Sequence, residues 1–98
     1  MRIDFRNKRI EKVCTDADAA RKKYGADVAR RIEQRMAEID AADTVEMMIQ
    51  FHIGRCHALT GNRQGQYAVD LVHPLRMVFT KDGETVQVAT IEEIVDYH

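Results

Sequence analysis

The spacing of the hydrophobic residues changes halfway along the chain, and this change limits the fold more than any other feature of the sequence. Up to about residue 50, apolar residues recur at steps of three and four, as on one face of a helix. Beyond Phe51, apolar and polar residues alternate in three successive runs, which is typical of half-buried strands. The sequence therefore predicts an α+β fold, with helices in its first half and a sheet in its second half.

The helical half is preceded by a short strand, predicted over residues 1–5 because apolar and charged residues alternate there. Two helices are predicted over residues 7–24 and 26–42, and a short third helix follows them. Thr15-Asp16 is expected to interrupt the first helix, since both residues favour helix caps over helix interiors.

Three strands are predicted in the second half, over residues 67–72, 75–80 and 86–95. His73-Pro74 predicts the turn between the first two, because proline fixes its own φ and moves its predecessor out of the helical region. Asp82-Gly83 predicts a hairpin between the last two.

The alternation of the last run slips around Ile91-Glu92-Glu93, which predicts a β-bulge. Together the elements predict an N-terminal strand and a helical hairpin packed on one face of a small antiparallel sheet, with the other face open. Residues 1–98 are expected to form one domain.

The composition indicates an ordinary soluble domain, with 45% hydrophobic and 32% charged residues. No apolar run approaches the roughly 18 residues that a membrane span requires, and the N-terminus lacks an apolar signal region. A cytoplasmic protein without a membrane partner is expected. The net charge of −1 counts against simple electrostatic binding of nucleic acid, although basic residues are concentrated in the first twelve positions and predict a local basic face.

The two cysteines, Cys14 and Cys56, are isolated and far apart, so both are expected to be reduced packing residues. Together with His52 and His57, Cys56 provides too few ligands at zinc-like spacing. No metal and no cofactor are expected.

Several arginines and histidines of the second half stand at the ends of strands or at polar breaks between them. Arginine presents a fixed fork of donors that matches phosphate oxygens, and histidine exchanges its proton near neutral pH. A small sheet that carries both suggests phosphodiester chemistry. Arg76 is the best candidate for a phosphate-binding cation, because alternation with Leu75 and Met77 places it on the open face.

The order of these residues also carries a resemblance. The chain contains His57-x-Leu59-x-Gly61-x-Arg63-x-Gly65-x-Tyr67, then Arg76-x-x-Phe79, and then Asp96-Tyr97-His98. This set resembles the HigB branch of the RelE/ParE toxin superfamily, the plasmid maintenance killer proteins of type II toxin–antitoxin systems. The resemblance covers residues 44–98 by motif and the first half by layout alone. It implies a RelE-like fold.

The activity implied by the resemblance is cleavage of messenger RNA on the ribosome, by metal-independent attack of a ribose 2′-hydroxyl on the adjacent phosphate. His57 and His98 match histidines of the family motif and are the acid–base candidates, with Arg76 as the catalytic cation. Arg63, Asp96 and Tyr97 are the candidates for binding RNA or its phosphates, the tyrosine by stacking on a base.

Five of the six candidate residues also have a structural interpretation. Arg76 could pair with Asp70 across the hairpin, and Arg63 could be a solvated loop charge. His57 could be a hydrogen-bonded histidine at the start of a strand, while Tyr97 could pack on the sheet edge. His98 could belong to a frayed chain end.

Two positions depart from the family pattern: Ala58 stands where a proline is usual, and Thr60 where a phosphate-binding lysine is common. A gyrase-binding toxin of the ParE branch, without catalysis, and a degenerate binding partner or co-repressor therefore stay open as alternatives. The partners implied by the resemblance are a HigA-like helix-turn-helix antitoxin, the ribosome and its messenger RNA. The resemblance also leaves open a homodimer of the antitoxin-free protein.

Overall fold

A five-stranded mixed sheet with helices on one face forms the framework of the molecule. The computed structural model describes residues 1–96; Tyr97 and His98 lie outside the described residues. The strands are β1 (Arg2–Phe5), β2 (His57–Ala58), β3 (Gln66–Asp70), β4 (Leu75–Asp82) and β5 (Val88–Asp96). Their order in the sheet is β1-β5-β4-β3-β2, in which β1 runs parallel to β5 and the other pairs are antiparallel.

The predicted break in the first helix is confirmed. Helix α1 (Lys8–Thr15) begins at the N-cap Asn7, whose side chain accepts a hydrogen bond from the Ile10 amide. Asp16 ends α1 and caps α2 (Ala17–Tyr24), because its carboxylate accepts hydrogen bonds from the amides of Asp18 and Ala19.

The remaining helices are α3 (Ala26–Ala41) and α4 (Val45–Gln50). Thr44 caps α4 by accepting a hydrogen bond from the Met47 amide. In addition, the buried side chain of Gln87 accepts a hydrogen bond from the Val45 amide at 2.9 Å. Gln87 therefore connects the start of α4 to the loop that precedes β5. No helix in the described part of the chain is long and apolar enough to cross a membrane.

The main core lies between the helices and one face of the sheet. Its fully buried members come from both layers, and the largest include Ile32, Ile39, Met48, Met77, Phe79 and Ile91. Burying such side chains supplies most of the favourable free energy of folding, at roughly 1.5–3 kcal/mol each. The predicted α+β arrangement, with the helical hairpin on one face, is confirmed.

The predicted bulge in β5 is also confirmed. Val78 pairs with Glu93 but the next residue, Phe79, pairs with Ile91, so Glu92 is the extra residue. The bulge reverses the faces to which later residues of β5 point. It allows both Ile91 and Ile94 to pack against the main core although they are three residues apart.

Several details of the sheet differ from the sequence prediction. The N-terminal strand, predicted to pack on the antiparallel sheet, is itself an edge strand of the sheet. It runs parallel to β5 because the chain crosses from β1 through the helices before β5 forms. The prediction that the last strand begins at residue 86 was wrong, because Val86 is 86% exposed and β5 begins at Val88. The Gln87 side chain donates a hydrogen bond to the Glu84 carbonyl, and the hairpin loop is longer than the Asp82-Gly83 pair suggested.

Candidate active site

The sheet face opposite the helices, called the site face below, carries the predicted polar residues in adjacent rows. His57 pairs with Ala68, and two residues further along β3, Asp70 pairs with Arg76. Directly paired residues point to the same face of a sheet, as do residues two apart along one strand. His57, Asp70 and Arg76 therefore share the site face, and the predicted position of Arg76 is confirmed.

A small apolar cluster forms the floor between these polar groups. Leu59, Ala68 and Val78 are buried there, and Val95 packs against them. This cluster is separate from the main core under the helices. The site face thus has an apolar centre, which weakens the solvent screening of the charged groups around it.

A cleft of about 380 Å³ opens at the β2–β3 side of this face. It is lined by His52, Arg55, Cys56, His57, Asp70 and Arg76. Two of the predicted catalytic residues, His57 and Arg76, therefore meet in one concavity.

The imidazole of His57 is oriented by the backbone of Arg55. Its Nδ1 lies 3.0 Å from the Arg55 carbonyl oxygen. Since a carbonyl oxygen can only accept, Nδ1 must carry the proton, and the neutral ring then has its lone pair on Nε2. In this tautomer Nε2 is therefore the nitrogen that can accept a proton.

Asp70 lies between two guanidinium groups. Its Oδ1 is 3.2 Å from Nε of Arg76, and its Oδ2 is 3.2 Å from Nε of Arg55. The cross-hairpin pair of Arg76 with Asp70, one of the two interpretations of Arg76, is therefore present in the structure. It does not exclude phosphate binding, because the trio of Arg55, Asp70 and Arg76 carries a net positive charge.

A third arginine holds the backbone of Asp70. Arg35 of α3 is buried, donates from Nε to the Asp70 carbonyl at 2.6 Å, and pairs with Glu38 at 2.8 Å. Its side chain also passes against Gly54, where a Cβ atom would lie only 2.9 Å from Arg35 Cδ. Arg35 thus connects the helical layer to Asp70 and to the segment that precedes His57.

Arg63 lies elsewhere on the site face. It ends the short 3₁₀ turn Gly61–Arg63 and contacts Glu93 Oε1 at 3.0 Å and Gln66 Oε1 at 3.0 Å. Glu93 points to this face because it pairs with Val78. Arg63 is therefore an ordered, carboxylate-bound arginine and not merely a solvated loop charge.

The end of β5 lies beside Arg76, as the sequence predicted. Val95 pairs with Arg76, and Asp96 pairs with Leu75. Asp96 is exposed, and alternation places it on the face of Leu75, opposite to that of Arg76. The predictions for Tyr97 and His98 fall on residues outside the described part of the chain.

Sequence reasoning missed Arg55 and the supporting role of Arg35. Arg55 and His52 both have φ of 55°, a left-handed conformation that is uncommon for residues other than glycine. Both line the cleft. The position of Arg55 two residues before His57, in the polar break after the helices, was the one signal in the sequence.

Both cysteines are buried, and Cys56 is the one that lines the cleft. Burial raises the pKa of Cys14 and of Cys56 from 9.0 to about 12, so both thiols stay protonated at neutral pH. Both are free, as predicted. Within residues 1–96, no group of three or more histidine, cysteine or carboxylate side chains is arranged to hold a metal ion.

Comparison with known proteins shows similarity in structure. Neither a protein-family model nor a curated protein sequence matches the chain. The YoeB/ParE toxin from Agrobacterium tumefaciens matches over 100% of both chains, with a TM-score of 0.67 and 11% sequence identity. The structures of the YoeB–YefM complex and of the YoeB dimer from Staphylococcus aureus each match 100% of this chain and 97% of theirs, with TM-scores of 0.64 and 21% identity.

At these identities the similarity concerns the fold. The matches extend over the whole chain, so they include the helical half that the sequence motifs did not cover. The predicted RelE-like fold is therefore confirmed, and the protein has the fold of the YoeB and RelE-like toxins.

Proposed function

We propose that this protein is the toxin of a type II toxin–antitoxin module and cleaves messenger RNA on the ribosome. The observation that carries the proposal is the meeting of His57 and Arg76 in one cleft of a YoeB-like fold. The histidine donates from Nδ1 to the Arg55 carbonyl, so Nε2 is the nitrogen that can accept a proton, and the arginine is paired with Asp70. Cleavage of RNA by its own 2′-hydroxyl needs such a base and such a cation.

The reaction balances without a metal ion. The 2′ oxygen forms a bond to phosphorus while His57 Nε2 takes the 2′ proton. The bond from phosphorus to the 5′ oxygen breaks, and that oxygen takes up a proton from a general acid. The products are a 2′,3′-cyclic phosphate and a 5′-hydroxyl. Arg76 stabilises the additional negative charge on the phosphate oxygens in the transition state.

The general acid in this proposal is His98, and Tyr97 stacks on a base, as the sequence motif implies. Both assignments rest on the Asp96-Tyr97-His98 motif and on the pairing of Val95 with Arg76, which brings the end of β5 beside the cation. Deletion of Tyr97 and His98 should abolish toxicity but change thermal stability little. A truncated protein that folds and remains fully toxic would remove both residues from the mechanism.

The ribosome is expected to position the substrate, because the protein alone is a poor RNA binder. Its net charge is −1, and both Arg63 and Arg76 on the site face are already paired with carboxylates. Few counterions are therefore released on binding free RNA. The purified protein should cut ribosome-bound message well and naked RNA poorly; comparable cutting of both would contradict this step.

The partner in this proposal is an antitoxin encoded beside the toxin. A complex of YoeB with YefM and a dimer of YoeB are among the similar structures. The finer assignment, a HigB-type toxin with a HigA-like helix-turn-helix antitoxin and a homodimer in its absence, rests on the motif in residues 57–98. A helix-turn-helix reading frame directly beside this gene would support it.

Pulse labelling after induction tests the function. Expression of the chain alone should stop growth, and protein synthesis should fail before DNA synthesis. Co-expression of the neighbouring antitoxin should restore growth and protein synthesis. Primer extension on the message should show new 5′ ends inside the reading frame. If DNA synthesis failed first while translation continued, the gyrase-binding alternative would replace this proposal.

A further inference from the structure

The trio of Arg55, Asp70 and Arg76 has a geometry that a simple surface ion pair does not require. One carboxylate holds two guanidinium groups, each through Nε at 3.2 Å. Two arginines this close would repel one another without the negative charge between them. With Asp70 in place, they are held together and the trio keeps one net positive charge.

We infer that Arg55 is a second phosphate-binding residue of the cleft and that Asp70 positions it beside Arg76. This deepens the proposed function, since the phosphate would be that of the RNA substrate. A guanidinium that contacts Asp70 through Nε has four further N–H donors on its terminal amines. Two guanidinium groups held by the same carboxylate can donate to different oxygens of a single phosphate.

The backbone around Arg55 supports this assignment. Gly54 and Arg55 both have positive φ, 59° and 55°, and Arg35 packs directly against Gly54. The buried Arg35 also donates to the Asp70 carbonyl. One buried arginine therefore fixes the segment that carries Arg55 and the residue that binds the Arg55 side chain.

Arg55 is also connected to the proposed base. Its carbonyl oxygen accepts the hydrogen bond from His57 Nδ1 at 3.0 Å. The same residue thus orients the base through its backbone and adds a cation through its side chain. A phosphate held by Arg55 would lie beside the imidazole that removes the 2′ proton.

The opposing interpretation is that Arg55 is an exposed charge whose pair with Asp70 has little effect. Its side chain is 83% exposed, and ion pairs of this kind contribute little to stability. Only the inference above expects Arg55 to contact a bound anion. Titration with inorganic phosphate therefore distinguishes the two interpretations.

The experiment titrates the purified protein with inorganic phosphate and follows the arginine Nε–Hε signals by NMR. The signals of Arg55 and Arg76 should shift together along one binding curve. Arg55→Ala should weaken binding by roughly threefold to tenfold, as expected for one partly exposed charge-assisted contact. The matched control is Arg30→Ala, an exposed arginine paired with Asp27 on α3, which should leave binding almost unchanged.

A double-mutant cycle tests the role of Asp70. In an Asp70→Asn background, Arg55→Ala should cost less phosphate affinity than in the unmodified protein, because the arginine is no longer held in position. Equal losses in both backgrounds, or equal effects of Arg55→Ala and Arg30→Ala, would overturn the inference.

The two proposals can fail separately. If phosphate binding behaves as expected but the protein does not inhibit translation, the RNA-cleaving function fails and the anion site stands. If translation is inhibited and Arg55→Ala binds phosphate as the unmodified protein does, the inference about Arg55 fails alone.

Discussion

Glu93 holds Arg63 on the site face, with 3.0 Å between Glu93 Oε1 and Arg63 Nη2. The bulge at Glu92 makes this contact available, because it places Glu93 opposite Val78 and not on the helical side. A carboxylate on this face lowers the attraction of the surface for RNA. The net charge of the site face therefore depends on its carboxylates as well as on its arginines.

The first prediction concerns this acid. Glu93→Gln should tighten binding of a short single-stranded RNA and make its dissociation constant more dependent on salt, because one carboxylate fewer then competes with phosphate for Arg63 and repels RNA from this face. Stability should change by no more than about 1 kcal/mol, as for a partly exposed pair. Glu33→Gln, on the helical side at an exposed position, makes the same change in charge and should have no such effect. Equal effects of the two variants would mean that net charge alone is responsible.

The second prediction concerns the base. His57→Ala should lower the rate of message cleavage on ribosomes by roughly 10²–10⁴-fold, the range expected for a general base. The far-ultraviolet circular dichroism spectrum should not change, since His57 lies in a two-residue edge strand. The rate is measured from the accumulation of cleaved message under single-turnover conditions.

His52→Asn is the control for this variant. His52 lines the same cleft, and asparagine tolerates the left-handed conformation of that position. Activity should be retained. A His57→Ala protein that cleaves as fast as the His52→Asn protein would show that the base lies elsewhere.

The third prediction separates backbone strain from packing in the segment next to the cleft. Gly54→Ala places a Cβ at positive φ, which costs about 1–2 kcal/mol, and also 2.9 Å from Arg35 Cδ. Gly61→Ala has the same backbone problem at φ of 65° but meets no atom within 4 Å. The free energy of unfolding in urea should therefore fall more for Gly54→Ala. Equal losses would mean that Arg35 moves aside without cost.

The fourth prediction concerns alkaline pH. The pKa of Cys14 and of Cys56 is about 12 in the folded protein, raised from 9.0 by burial. Unfolding at high pH therefore releases protons from both thiols. Their contribution to stability is fully present below pH 9, and it is lost progressively as the pH rises from about 9 to about 12.

Urea unfolding measured between pH 7 and pH 11 tests this dependence. The free energy of unfolding should decline above pH 9, and the decline should be smaller in a Cys14→Ala, Cys56→Ala protein. The native thiols should also react slowly with iodoacetamide at pH 8, since the thiolate is the reactive form. Rapid alkylation of the folded protein would contradict the assigned burial.

Local chemistry explains which parts of the fold could be predicted from the sequence. The break at Asp16 and the bulge at Glu92 each follow from neighbours within a few residues. Asp16 favours a cap, and two adjacent glutamates disturb the alternation of β5. The position of Arg76 followed in the same way from Leu75 and Met77.

The parts that could not be predicted depend on distant contacts. The contacts of Asp70 with Arg35 and Arg55 join residues separated by 35 and by 15 positions in the chain. The segment that carries Arg55 also has positive φ at His52 and Arg55, a conformation that is uncommon outside glycine. Val86 fits the alternation of a strand. Its neighbour Gln87, however, is hydrogen-bonded to the start of α4 and to the Glu84 carbonyl, and Val86 is exposed to solvent.

The position of β5 has a consequence for how the molecule assembles during synthesis. β5 follows every other strand in the chain, yet in the sheet it lies between β1 and β4. A nascent chain can form its helices early, but β1 has no partner until residues 88–91 have emerged. Arg76 gains its neighbour Val95 later still, when residue 95 has emerged. A ribosome that makes this protein has therefore translated nearly all of the described sequence before the sheet beneath the cleft can close.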